Sequence, residues 1–259
     1  MKTSITNKNK ELNNKFINIL LYIIGIVLLI FIWSIISAIK NNILYPNIID
    51  IAKDIFVLLG KKETYSILIQ TLIKLLIIIT LSYILSFILA YFAYKYNYVR
   101  KFLSPIMLVF RSMPVASVII ILMLLVNLKY APFVITLLVI VPITYESLYR
   151  IFSEIDKDII DETKLVSNIN IFIVLRLFIP MQFNFIITSL LQTTGLSLKI
   201  LVMGEILAQG SNTIGGKIQF ARTALDVTRV FSWTIILLLI VIILELIINI
   251  IDNKFQKNS

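Results

Sequence analysis

Few residues in this chain could do chemistry. It contains no His and no Cys. That removes the commonest general base and metal ligand, the thiolate nucleophile and any disulfide framework. Gly60-Lys61-Lys62 lacks the first Gly and the Ser/Thr that a phosphate-cradling loop needs. No catalytic set, metal site or cofactor is expected, and any nucleotide energy must come from another chain. What remains is a polar series inside an apolar segment. Thr188, Gln192, Gly195 and Lys199 recur at i, i+4, i+7 and i+11, on one face of a helix. Ser189, Thr193 and Ser197 lie beside that face, and Glu205 lies near the segment's end. Polar groups within an apolar span turn to the bundle interior or to water, which suits a pathway. Gly, Ser and Thr also let helices approach closely, so packing is the alternative. An ammonium at Lys199, far from either end, favours the pathway.

The second informative stretch is charged. Asp161-Glu162-Thr163-Lys164-Leu165-Val166-Ser167, then Ile171 and Phe172, mix charged and apolar residues at a helical period, and Pro180 closes the pattern where the next apolar run begins. Either a solvated linker or a short amphipathic helix that docks on a partner fits this pattern.

The elements that position these residues follow from hydropathy. The chain has 259 residues, of which 59% are hydrophobic, against roughly 45–50% for a soluble domain. The excess falls in six runs near the ~20 residues that cross a bilayer as a helix, at about 16–38, 66–94, 105–126, 132–149, 182–208 and 231–251. The expected fold is therefore all-α: a polytopic membrane protein with about six transmembrane helices, forming a single domain over 1–259. Residues 1–15 form a tail and residues 150–180 the polar loop between spans four and five. The stretch 41–64 holds a short amphipathic helix at the membrane surface, and 209–230 is a second polar stretch containing Gly210, Gly215 and Gly216. Lys74 and Arg111 lie near enough to span ends to reach the interface; Glu245 either does the same or pairs with a neighbouring helix. Trp33, Trp233, Tyr45, Tyr94, Tyr98 and Tyr145 suit interfacial anchors.

The net charge of +10 lacks the basic-aromatic strip of a nucleic-acid surface. It fits the positive-inside rule instead. With the N-terminus inside, cytoplasmic segments carry 13 Lys and Arg and outer segments eight. N-terminus and C-terminus are both expected in the cytoplasm.

An ordered set of short elements resembles the permeases of bacterial ABC importers. Asp161-Glu162-Thr163, then Ser167, then Ile179-Pro180 keep the spacing of that family's coupling motif, Glu-Ala-Ala, Gly and Leu-Pro, with both Ala and the Gly replaced. Leu44-Tyr45-Pro46, Arg111-Ser112-Met113-Pro114, Met203-Gly204-Glu205-Ile206-Leu207 and Ile214-Gly215-Gly216 resemble further family elements in order. The branch they resemble handles nitrate, sulfonate, taurine and thiamine precursors. The resemblance implies a homodimer in the bacterial inner membrane, two separate ATPase subunits, an extracytoplasmic substrate-binding protein, and ATPase coupling through Asp161, Glu162, Thr163, Ser167, Ile179 and Pro180. The expected function is passage of a small, anionic or thiamine-precursor-like solute, with Thr188, Gln192, Gly195, Lys199 and Glu205 as pathway candidates. A secondary transporter, which calls for an inverted repeat, and a non-transport scaffold are the alternatives.

Overall fold

The computed structural model describes residues 2–40, 44–125, 128–166 and 171–256. Among these, every regular element is helical. Four helices are long and apolar enough to cross a bilayer: α3 (Lys62–Lys95), α6 (Ala131–Ser153), α10 (Phe183–Leu207) and the Val227–Asp252 part of α12 (Val227–Gln256). They match the second, fourth, fifth and sixth expected spans within a turn. α1 (Lys2–Lys40) covers the first.

The third span is not the single helix expected at 105–126. It consists of α4 (Asn97–Ser112) and α5 (Val115–Leu125), bent by 98° at the break. Pro114 is the cause. A proline drives the preceding residue out of the helical region, and Met113 is extended, with φ −65° and ψ 133°.

The bundle has two ends. At one end α1 meets α2 (Ile48–Leu59): the Trp33 indole donates to Pro46 O at 3.1 Å, and its ring lies 4.9 Å from Phe231. α2 is the expected amphipathic helix. Asn47 caps it by accepting from the Ile49 amide, Ile51 and Leu58 are buried, and Phe56 is exposed. Asp54 accepts a forked pair from Arg229 at 2.7–3.1 Å, tying α2 to α12. The 209–230 stretch adds α11 (Ile214–Thr223) at this end. The other end carries α7 (Lys157–Val166), then α8 (Ile171–Ile173), a π-helical turn (Val174–Phe178) and α9 (Ile179–Met181).

Small residues join the central helices. Ser82, Ser86, Ala90 and Ala93 form a buried stripe on α3, and the Ser86 hydroxyl reaches Val141 O on α6 at 2.9 Å. Close approach through small side chains is the expected mode of association in lipid, where burial of apolar surface drives nothing. Trp233 and Tyr145 are not interfacial anchors. Both are only 3% exposed, inside apolar clusters of the bundle. Each large ring fills space between helices that a shorter side chain would leave empty.

Candidate translocation and coupling sites

Glu205 and Lys74 build one site, at the α11 end. On α10, Ser189, Thr193, Ser197, Leu201 and Glu205 are all buried and follow one another at four-residue spacing. Glu205 thus belongs to the packed stripe, not to the Thr188–Lys199 face. Its carboxylate accepts from Lys74 Nζ on α3 at 2.9 Å and from the Gly215 amide at 3.3 Å. Lys74 therefore does not run to the membrane surface as its position suggests; it turns inward to this carboxylate. Gly215 makes the second contact possible. A Cβ there would sit 2.5 Å from Val202 O and 2.6 Å from Glu205 Cβ, so only glycine brings the start of α11 this close to α10. Thr213 caps α11 by accepting from the Gly216 amide at 3.0 Å. The positive end of the α11 dipole then faces the Glu205 carboxylate. Gly204 permits equally close packing on α6: a Cβ would lie 2.9 Å from Pro132 Cα.

Lys74 and Glu205 face a cavity of about 760 Å³. Gln70, Tyr130, Phe133, Leu201 and Asn212 are among its walls. Its size falls in the range of small-molecule sites, roughly 300–1,000 Å³, and its mixture of apolar walls with a few polar groups is typical of them.

The polar face of α10 splits between environments. Thr188, Gln192 and Lys199 are exposed in the single chain. Thr188 donates its hydroxyl to Asn184 O, one turn back. Thr188 and Gln192 line a small cavity of about 180 Å³ with Arg150 and Glu154 of the α6 end. Gly195 faces α12, where a Cβ would stand 3.7 Å from Glu245 Oε1. Lys199 makes no ion pair among the described residues, and neither does Glu245. The neighbouring stripe is different. The Tyr83 hydroxyl donates to Ser189 at 3.2 Å, and Thr193 and Ser197 bond back to their own helix. That stripe is helix packing.

The polar loop folds onto the α7 end. Ile159 and Ile160 of α7 pack against a cluster that includes Phe152, Ile155, Val174 and Phe178. Leu165, 88% exposed, lies on the opposite side, and Glu162, also exposed, lies on the flank beside Ile159. Thr163 is half-buried and donates to Ile159 O; Asp161 is exposed. Ser167 lies outside the described residues. Before Pro180 the helix widens to a π turn, with the Ile179 amide bonding Val174 O. Proline cannot donate to the carbonyl four residues back, and the wider turn shifts the register just ahead of it. Ile179 packs on the same cluster and Pro180 is exposed.

The model of the family described as binding-protein-dependent transport system inner membrane component matches residues 82–257. The chain belongs to that family. The matched part runs from the middle of α3 to the end of α12 and holds the α10 face, Glu205 and the whole α7 loop. It leaves out α1, α2 and Lys74. Transport-family membership sets aside the scaffold alternative. Among solved structures, the fold is similar to a chain of the inward-facing MetNI methionine ABC transporter, with a TM-score of 0.58 at 15% identity over 77% of this chain and 99% of that one. No curated protein matches the sequence.

Sequence reasoning missed two things in this membrane component. Lys74 and Glu205 are 131 positions apart, and no local pattern pairs them. The available signal was charge alone: two opposite charges, each inside an apolar run. The Asp54–Arg229 tie spans 175 positions and joins two polar stretches, so no local pattern pairs it either.

Proposed function

We propose that the chain is the permease subunit of an ABC importer, active as a homodimer with two separate ATPase subunits and an extracytoplasmic binding protein. In this reading the α7 end is cytoplasmic, as are both termini, and the α11 end faces outward. The cavity beside Lys74 and Glu205 is then an outer vestibule. The solute is small and carries an anionic group, as nitrate, sulfonates and taurine do, or resembles a thiamine precursor. Family membership supports the transport role. The observation that carries the rest is Lys199, a cation on an exposed face with Thr188 and Gln192, at a depth where lipid alone would leave it uncompensated. A second copy, water or an anionic solute must meet it there.

α7, with Ile179 and Pro180 behind it, is the surface for the ATPase. α7 is held to the bundle on one side, so force applied to its other side reaches Phe152 and Phe178 rather than dissipating in a loose loop. Leu165 offers an apolar knob for a groove, with Glu162 at the rim, where a charge sets orientation. The test is co-purification. The full chain, tagged and extracted from its native membrane in mild detergent, should bring with it a P-loop ATPase. Leu165→Asp and Glu162→Arg should each reduce that capture at unchanged permease abundance. Retention of the ATPase at full level by both variants would refute the docking surface; absence of any ATPase from wild-type preparations would refute the importer reading.

A further inference from the structure

Three arginines line a cavity of about 240 Å³ between α4 and α6, Arg100 and Arg150 toward the α7 end and Arg111 farther along α4. Arg100 and Arg111 are eleven residues apart on α4, which returns them to one face of the helix. Ser104 lies between them on that face, and all three line the cavity. α6 contributes Glu146, Tyr149 and Arg150. Glu146 is the carboxylate in the wall, and it is already engaged by Arg150 at 3.4 Å, one turn along the same helix. Arg100 lies over the Tyr149 ring at 4.6 Å. A guanidinium over an aromatic ring makes a cation–π contact and keeps N–H groups available to donate. Arg111 makes no ion pair among the described residues.

We propose that this cavity binds a phosphate group, most simply the headgroup of an anionic phospholipid. Guanidinium forks match the paired oxygens of a phosphate, and two or three forks in one cavity exceed what a bare excess of positive charge provides. The positive-inside rule accounts for arginines at this end of the bundle. It does not require that they share a cavity or that one lie over an aromatic ring. The volume is several times the ~30 Å³ share of one water, yet below the ~300 Å³ of a drug-sized site. It takes a phosphate with some of its hydration and leaves a larger body outside. That body has a surface to lie on. Leu108 lines the cavity and is 59% exposed, and Val109 beside it is 52% exposed, as acyl chains require. Basic pockets between transmembrane helices hold anionic headgroups in this way. The site does not depend on which solute the protein carries.

The experiment uses the full chain purified in a neutral detergent and native mass spectrometry. The probes are dioctanoylphosphatidylglycerol, dioctanoylphosphatidylcholine and inorganic phosphate. The variants are Arg111→Gln, the double variant Arg100→Gln/Arg111→Gln, and Arg176→Gln, which removes an exposed arginine outside the cavity at the same end. Wild-type protein should bind phosphatidylglycerol about tenfold more tightly than the double variant, the scale of one lost charged hydrogen bond or more. It should also prefer phosphatidylglycerol to phosphatidylcholine, and Arg176→Gln should match wild type. Displacement of bound phosphatidylglycerol by phosphatidylglycerol but not by inorganic phosphate identifies the headgroup as ligand. Binding of inorganic phosphate alone with the same arginine dependence identifies a free oxyanion at the same site. Should the double variant fail to fold, Arg111→Gln carries the test, since Arg111 has no described ion pair to lose. Equal binding by wild type and the arginine variants, or an equal loss in Arg176→Gln, overturns the proposal.

Discussion

The Lys74–Glu205 pair predicts an asymmetric response to mutation. Glu205 is almost wholly enclosed, with its side chain 2% exposed, while that of Lys74 is 38% exposed. At 2.9 Å the attraction is worth about 6 kcal/mol in an effective dielectric of ~20. Most of that is offset by the cost of taking the carboxylate out of water. Removing one partner of a fully buried pair costs about 3–5 kcal/mol, because the other charge is stranded. Lys74→Met strands Glu205, but the carboxylate keeps the Gly215 amide and the cavity beside it admits water. We expect a loss of about 2–3 kcal/mol, below that range. Glu205→Gln strands Lys74 instead, which can turn into the cavity, so the loss should be about 1 kcal/mol, the worth of one hydrogen bond. The double variant Lys74→Met/Glu205→Gln should recover at least about 1 kcal/mol relative to the sum of the singles, as contacting residues do. Reversible unfolding of the detergent-solubilised protein, followed by helical circular dichroism, measures all three. Hydrogen exchange at the Gly215 and Gly216 amides should rise in Lys74→Met, as α11 loosens from α10. A Lys74→Met variant within about 0.5 kcal/mol of wild type, the range of an ordinary surface substitution, would refute the reasoning. So would strict additivity.

Two further outcomes are expected. A Cβ on Gly216 would lie 1.4 Å from Gly210 O, whereas one on Gly25 meets nothing within 4 Å. Gly216→Ala should therefore lose well over ~1 kcal/mol and disorder the turn before α11, while Gly25→Ala gains up to about 1 kcal/mol from helix propensity, both by thermal unfolding. Lys199→Met keeps side-chain length and removes the charge; if the protein is the proposed homodimeric importer of an anionic solute, uptake of labelled taurine or nitrate by cells carrying the proposed transporter should fall severalfold while stability and dimerisation hold. A loss of stability or of the dimer would make Lys199 structural and remove the argument for an anionic solute.

Much of this protein is local and was legible in its sequence. A helix in lipid must satisfy its own backbone hydrogen bonds, so an apolar run of sufficient length specifies its own structure before any neighbour is known. That is why the ends of α3, α6, α10 and α12 agree with hydropathy, and why the amphipathic pattern of α2 and α7 places them off the apolar layer. The same reasoning failed at the third span. Hydropathy reads 105–126 as one run, but Pro114 acts through backbone sterics that an average over side chains does not register. Periodicity gathered Thr188, Gln192, Gly195 and Lys199 on one face correctly. It could not say that Thr188, Gln192 and Lys199 are left exposed while Gly195 packs toward α12, or that Ser189 and Thr193 beside them meet Tyr83. Glu205 shows the limit most clearly. Its charge and its position in the run were visible, but its role depends on Lys74, 131 residues away, and on a glycine that admits α11. That Arg100, Arg111 and Arg150 line one cavity is likewise invisible until α4 lies beside α6. The sequence by itself determined the helices, because each satisfies its own backbone. The tertiary structure alone decided which charges meet, because in lipid that depends on which small residues let two helices come close enough to share them.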